Sequence, residues 1–358
     1  MMKDNTKKPL IGVTIGDGAG VGPEIICKTF VRQTFRRFSD IIVIGNKSVF
    51  DKTIRHYNYP INTEVIDKGE DVYLLKENTL GIIDVDKKAK VPFELGKPQK
   101  ELGQIALSSI DKAVEMAQEK KLDAIVTSPV NKEIISLSYK KFTGHTEYIA
   151  DKLKVQNFNM MMVSNKIKIV LVTTHMALKD VSKNVTKEKI VNTIINTNNI
   201  LFQLGYRRPK IAVLGLNPHA SDGGLFGQEE EKIIMPAIKE AQNNGIHVKG
   251  PFPPDSFFYK YLKYPVYDSV LALYHDQGLI PFKIFSFGVG INVTIGLPII
   301  RTSVDHGTAY DIAGSGKAFD KSMFEALKFA VNLARSNKKN LKGDMIYDSS
   351  GEHITANR

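Results

Sequence analysis

The sequence predicts an α/β fold: two α/β/α domains on a largely parallel sheet. Apolar runs of strand length alternate with longer stretches whose apolar residues recur at helical spacing, the pattern of parallel strands covered by helices. At 358 residues and 42% hydrophobic composition the chain can bury a large core, and such a length favours two domains over one. No Pro/Gly/Ser linker interrupts the alternation, so the chain is expected to cross between domains more than once.

In chain order, strands are expected over 10–15, 41–44, 81–85, 124–127, 160–163, 167–173, 211–216, 269–274 and 290–295, each a short apolar run. Amphipathic helices are expected over 101–120, 186–204, 228–243 and 322–334. Turns at 128–131 and 281–290 are the preferred crossing points. They give a discontinuous first domain (8–130 plus 285–335), a second domain (131–284) and a polar tail over 336–358, rich in Lys, Asn and Ser.

Composition excludes several classes. No apolar stretch approaches the ~20 residues that span a bilayer, and the start MMKDNTKKPL lacks the apolar segment of a secretory signal, so a cytoplasmic protein is expected. The single Cys27 permits no internal disulfide and no thiolate metal cluster. The net charge of +11 arises from scattered lysines. Short clusters at Lys7 and Lys8, at Lys87, Lys88 and Lys90, and at Lys338 and Lys339 lack the interleaved aromatics of nucleic-acid platforms, so no nucleic-acid partner is expected. The basic excess reads as a solvated surface that helps attract an anionic substrate.

Three of the eight histidines share one context. KIVLVTTH ends at His175, IAVLGLNPH at His219 and SVLALYH at His275, each after an expected strand. Ligands of open α/β sheets bind beyond the carboxyl ends of the strands, so these imidazoles can converge on one crevice. Three neutral imidazoles with an open position suit a divalent ion acting as a Lewis acid on a substrate oxygen. A hydrogen-bonded packing role is the other reading, and spacing leaves both open. Asp276 beside His275 orients an imidazole or caps a turn.

Glycines 16, 18, 20 and 22 lie between an expected strand and helix. They allow close approach of a phosphate to backbone N–H groups, or they form a plain tight turn with Pro23 opening the helix. The spacing matches neither the P-loop nor the Rossmann fingerprint. Lys283, Asn292, Arg301 and the GHT string at 144–146 are further candidates to bind phosphate or carboxylate; surface salt bridging is the alternative for the two cations. Absence of a G-x-S-x-G elbow argues against a serine hydrolase.

Taken together, GDGAGVGPEI, SPVNKEII, FTGHTEYIAD, TTHMALKDV, NPHASDGGLFGQEE, YHDQGLIPFK and INVTIGLPIIRTSVDHGTAYDIAGSGKA resemble the 4-hydroxythreonine-4-phosphate dehydrogenase family of pyridoxal phosphate synthesis, from about residue 10 to 334. The resemblance implies metal ligands at His175, His219 and His275. It implies substrate contacts at His145, Thr146, Lys283, Asn292 and Arg301, with Lys283 also a proton donor. The implied cofactors are NAD or NADP and one divalent ion (Zn, Mg or Co). The implied reaction oxidises 4-phosphohydroxy-L-threonine to a β-keto acid that decarboxylates to 3-amino-2-oxopropyl phosphate, in a homodimer with active sites at its interface. The family's first loop usually reads GDPAG, and Gly18 here replaces the proline, which removes no functional side chain. Segments GDG…GPE and HGTAYDIAGSG are also similar to isocitrate and isopropylmalate dehydrogenases. That similarity implies a fold of their type, with an active-site cleft between the domains, and NAD contacts at Gly307, Asp311 and Gly314. A related enzyme acting on a phosphorylated four-carbon sugar acid, or a metal-free phosphate acyltransferase, are the alternative readings.

Overall fold

The computed structural model describes residues 8–32, 38–87, 91, 93–286, 288–340, 346–347 and 353–354. Lys7, Lys88, Lys90 and most of the expected tail lie outside them. The strands are β1 (Leu10–Thr14), β2 (Asp40–Gly45), β3 (Asn62–Val65), β4 (Thr79–Asp84), β5 (Ala124–Thr127), β6 (Asn159–Val163), β7 (Lys168–Leu171), β8 (Ile211–Leu214), β9 (Val248–Phe252), β10 (Ser269–Ala272), β11 (Ile291–Ile295) and β12 (Arg301–Val304). The α-helices are α1 (Gly22–Val31), α2 (Lys47–Tyr57), α3 (Lys100–Gln118), α4 (Lys132–Ser136), α5 (His145–Lys152), α6 (Val181–Asn184), α7 (Lys187–Gln203), α8 (Met235–Asn243), α9 (Pro254–Lys263), α10 (His275–Ser286) and α11 (Lys321–Asn340). No helix among the described residues is long and apolar enough to cross a membrane.

The chain divides into two compact units, one of Met1–Gln156 with Leu297–Arg335, the other of Asn157–Gly296 with Ser336–Arg358. In the first unit β3-β4-β2-β1-β5-β12 form an all-parallel sheet. Its central strand β1 is buried along its whole length, as a parallel strand covered on both faces must be. Helix α3 packs on it through Leu102, Ile105, Ala106, Ser109, Ile110, Ala113, Val114 and Ala117, an apolar stripe at helical spacing.

In the second unit the order is β11-β6-β7-β10-β8-β9. Strand β6 runs antiparallel to both β11 and β7, whereas β7, β10, β8 and β9 are parallel. Met162, Ile169, Leu214, Val270 and Phe282 belong to its core.

The crossings fall at 156/157 and 296/297, not at the expected 130/131 and 284/285. Helices α4 and α5 pack on α3 and so stay with the first unit. The pairing of β6 with β11 draws 285–296 into the second. Residues 336–340, expected in the tail, continue α11, and the short strands β13 (Ile346–Tyr347) and β14 (His353–Ile354) pair antiparallel. The turn expected from 281 is helix through Ser286, with Pro281 inside α10.

Candidate active site

Arg301 opens β12 and is among the largest fully buried side chains, at 2% exposure. A buried guanidinium requires acceptors. Nε and Nη2 donate to Thr127 Oγ1 at the end of β5 (3.2 and 2.6 Å), and Nη1 donates to Thr146 Oγ1 on α5 (3.3 Å). Burial lowers the guanidinium to about 10, opposed by nearby Glu147. His145, the first residue of α5, lies in the same field. Burial first, then the charges of Arg301 and Lys132, push its imidazole well below the usual range, and its enclosed Nε2 has no hydrogen-bond partner. The fold thus joins His145, Thr146 and Arg301 into one cationic, donor-rich group. Thr127 and Lys132 escaped sequence reasoning, although both adjoin or lie within SPVNKEII.

The glycine-rich start resolves as a tight turn. Asp17 N–H donates to Pro129 O (2.8 Å), Gly20 N–H to Asp17 O (3.2 Å), Val21 N–H to Thr308 O (3.0 Å) and Ala19 N–H to Asp17 Oδ1 (2.9 Å), so these amides are committed within the protein. A Cβ at Gly20 would stand 2.7 Å from Thr308 O, so glycine is what lets the 305–320 loop close against this turn. Tyr310 OH donates to buried Asp17 Oδ2 at 2.6 Å, and burial is the leading cause of the raised Asp17 carboxyl.

Of the three residues implied as dinucleotide contacts, Gly307 and Asp311 are exposed, and a Cβ on Gly307 would meet nothing within 4 Å. Gly314 is held instead. Its N–H donates to Tyr57 OH (2.8 Å), its carbonyl meets His56 Nε2 (2.9 Å), and its φ of +88° is a glycine conformation.

In the second unit the neighbouring parallel strands β7, β10 and β8 each deliver one histidine just beyond the carboxyl end. The His175 and His275 rings are 5.9 Å apart between centroids. His275 Nδ1 meets Asp276 Oδ1 at 2.7 Å, so the carboxylate orients the ring. His219, Ala220, Ser221 and Asp222 form a run of left-handed residues (φ 56°, 51°, 69° and 46°), a strained conformation sustained by its surroundings. Buried Glu230 accepts from Leu216 N–H, Asn217 N–H and Asn217 Nδ2, all at 2.8 Å. Gln277 accepts from Leu273 N–H and donates to Gly215 O, both at 2.7 Å, tying the ends of β10 and β8 together. Among the described residues no group of three or more His, Cys, Asp or Glu side chains is arranged to hold a metal ion, so the structure pairs two histidines without closing a triad.

Lys283 is exposed on α10, the same helix that His275 opens, rather than in the turn expected over 281–290. Asn292 on β11 donates from Nδ2 to Met160 Sδ (3.2 Å), while its buried Oδ1 has no partner.

An α/β scaffold with strand-end imidazoles and a buried arginine set among hydroxyls has the makings of an oxidoreductase acting on an anionic substrate. The chain belongs to the PdxA family, described as Pyridoxal phosphate biosynthetic protein PdxA, which matches residues 37–330, and it is a dehydrogenase. It is 38% identical over 332 residues to the 4-hydroxythreonine-4-phosphate dehydrogenase of Trichlorobacter lovleyi, covering 92% of this chain and 99% of that protein. An Oceanobacillus iheyensis protein named "Putative D-threonate 4-phosphate dehydrogenase" is 40% identical, with 92% and 99% covered. The crystal structure of 4-hydroxythreonine-4-phosphate dehydrogenase from Klebsiella pneumoniae superposes with a TM-score of 0.80 at 36% identity, covering 91% of this chain and all of that one.

Proposed function

We propose that this dehydrogenase oxidises 4-phosphohydroxy-L-threonine with NAD or NADP, and that the β-keto acid formed decarboxylates to 3-amino-2-oxopropyl phosphate in pyridoxal 5′-phosphate synthesis. The observation that carries the reading is the delivery of His175, His275 and His219 by three adjacent parallel strands. The donor type fits a divalent ion such as Zn, Mg or Co: the paired imidazoles of His175 and His275, the latter oriented by a carboxylate, would be joined by His219 on binding. Such an ion, when bound, supplies Lewis acidity at the hydroxyl being oxidised.

The chain's own residues do the rest. Arg301, with Thr146 and His145, holds an anionic group of the substrate through charge-assisted bonds that fix its orientation. Asn292 supplies a further polar contact. Lys283 Nζ delivers a proton to the carbon from which carbon dioxide leaves. Gly307 and Asp311 meet the dinucleotide, and Gly314 holds their loop in place. The working form is a cytoplasmic homodimer. Support for a second copy comes from Ile280 and Ile284, 59% and 76% exposed on α10, which flank Lys283.

NAD reduction with 4-phosphohydroxy-L-threonine, with and without chelator, in wild type and His219→Ala tests this reading. Loss of activity in the variant and on chelation is expected; undiminished activity in the variant removes the metal site, and NAD reduction indifferent to chelator marks a dehydrogenase that works without a metal. The relatives named for D-threonate 4-phosphate, at 40% and 41% identity, favour a second reading with that hydroxy acid as substrate. Equal or better turnover of D-threonate 4-phosphate would establish it over the amino acid.

A further inference from the structure

We infer that Glu24 and Tyr57 are positioning residues for the dinucleotide, acting by locking residues 314–318 of the loop between β12 and α11. The inference rests on the reading that this loop meets NAD or NADP.

Glu24 lies in the first turn of α1 and is 1% exposed, an expensive place for a carboxylate unless every oxygen is occupied. Oε1 accepts from Ala318 N–H (3.2 Å) and pairs with Lys28 Nζ (2.7 Å), while Oε2 accepts from Tyr57 OH (2.8 Å). Lys28 Nζ also donates to the carbonyls of Gly316 and Ala318, both at 2.7 Å. Tyr57, the last residue of α2, passes the chain of bonds onward, because its hydroxyl receives the Gly314 N–H while donating to Glu24. His56 beside it engages the Gly314 carbonyl. The backbone of Gly314, Gly316 and Ala318 is therefore held by four side chains from α1 and α2.

Residues 305–320 form no helix or strand, and Gly314 and Gly316 (φ +88° and +72°) are intrinsically free joints. Without these bonds the loop would sample many conformations, and each residue ordered on binding would subtract from affinity. Gly307 and Asp311, the exposed members, lie just upstream of the locked segment. The lock therefore acts on dinucleotide affinity through pre-organisation and leaves the Arg301 group and the histidines unchanged.

The test uses the full chain as Tyr57→Phe, which removes one hydroxyl, and as Glu24→Gln. NADH and NADPH binding is measured by fluorescence titration, alongside KM for each substrate and kcat. The expected result is a rise of about tenfold in dinucleotide Kd and KM, the loss of roughly one hydrogen bond, with kcat and the phosphorylated substrate's KM within about twofold. An unchanged Kd in Tyr57→Phe overturns the inference, as does an equal rise in both KM values, which marks a general structural role. Wild type that binds neither NADH nor NADPH overturns the reading of the loop and the inference with it. Unaltered variants beside a wild type that binds overturn the inference alone.

Discussion

In the first unit the polar groups assigned to the substrate are enclosed and bonded to one another, Arg301 to Thr127 and Thr146, with His145 alongside in the same cationic field. In the second unit the corresponding chemistry stands in the open. His175 and His219 are exposed at strand ends, and the loop carrying His219 is fixed from behind by Glu230 and Gln277. The contrast follows from charge. A guanidinium that gives up water must be met by fixed acceptors, so its site is preassembled. On the proposed reading the imidazoles are metal ligands that need an accessible lone pair, and order is built into the backbone that carries them, down to the left-handed run at His219.

Breaking the open set has the largest expected effect. His275→Ala should lower kcat by about a thousandfold, the scale of several kcal/mol of Lewis-acid stabilisation, and should reduce bound divalent metal measured by elemental analysis. Retained metal content together with retained turnover would leave the second unit's imidazoles as packing residues. The enclosed set comes next. Arg301→Met should lower kcat/KM by about a hundredfold, and Arg301→Lys should not restore it, because a lysine lacks the planar fork that spans two threonines. The melting temperature should move little, since losing the arginine also removes a buried charge. If Arg301→Lys matched wild type in kcat/KM, the preassembled geometry would be irrelevant to binding.

The smallest effect sharpens the comparison through pH. His145 has a folded value well below the ordinary 6.5, with burial as the main cause. As pH falls through the ordinary value, the unfolded chain takes a proton that the folded one refuses, so stability present at neutral pH declines toward acid. His145→Gln should flatten that part of the slope between pH 7.5 and 5.5 in thermal melts. Parallel slopes for the two proteins would show that His145 titrates normally.

Most of the sheet was legible because strands buried on both faces leave uninterrupted apolar runs. LIGVT, AIVT and SVLA could hardly be read otherwise. Strands β3 (NTEV), β9 (VKGPF) and β12 (RTSV) escaped notice because they are polar or broken by glycine and proline. Helix α10 was hidden by Pro281, which ordinarily ends a helix. In the glycine-rich start both readings were open, and only the amide bonds to Pro129 and Thr308 decided for a turn. Glu24 stood inside the quoted string GDGAGVGPEI without a role of its own, and Tyr57 left no signal, since a glutamate in a first turn and a tyrosine at a helix end are ordinary surface residues until a distant loop packs over them.

The sequence by itself determined most of the buried strands and the longer amphipathic helices, that three histidines follow strands, and, through long specific strings, the family. Local burial and periodicity are written in neighbouring residues, so these properties need no knowledge of the rest of the chain. The tertiary structure alone decided that β7, β10 and β8 are neighbours, that Arg301 meets Thr127 across 174 positions of sequence, and that 314–318 is locked by residues 257 to 294 positions away. Strand order and long-range hydrogen bonding depend on which surfaces the whole chain can bury together, and no local pattern records that choice.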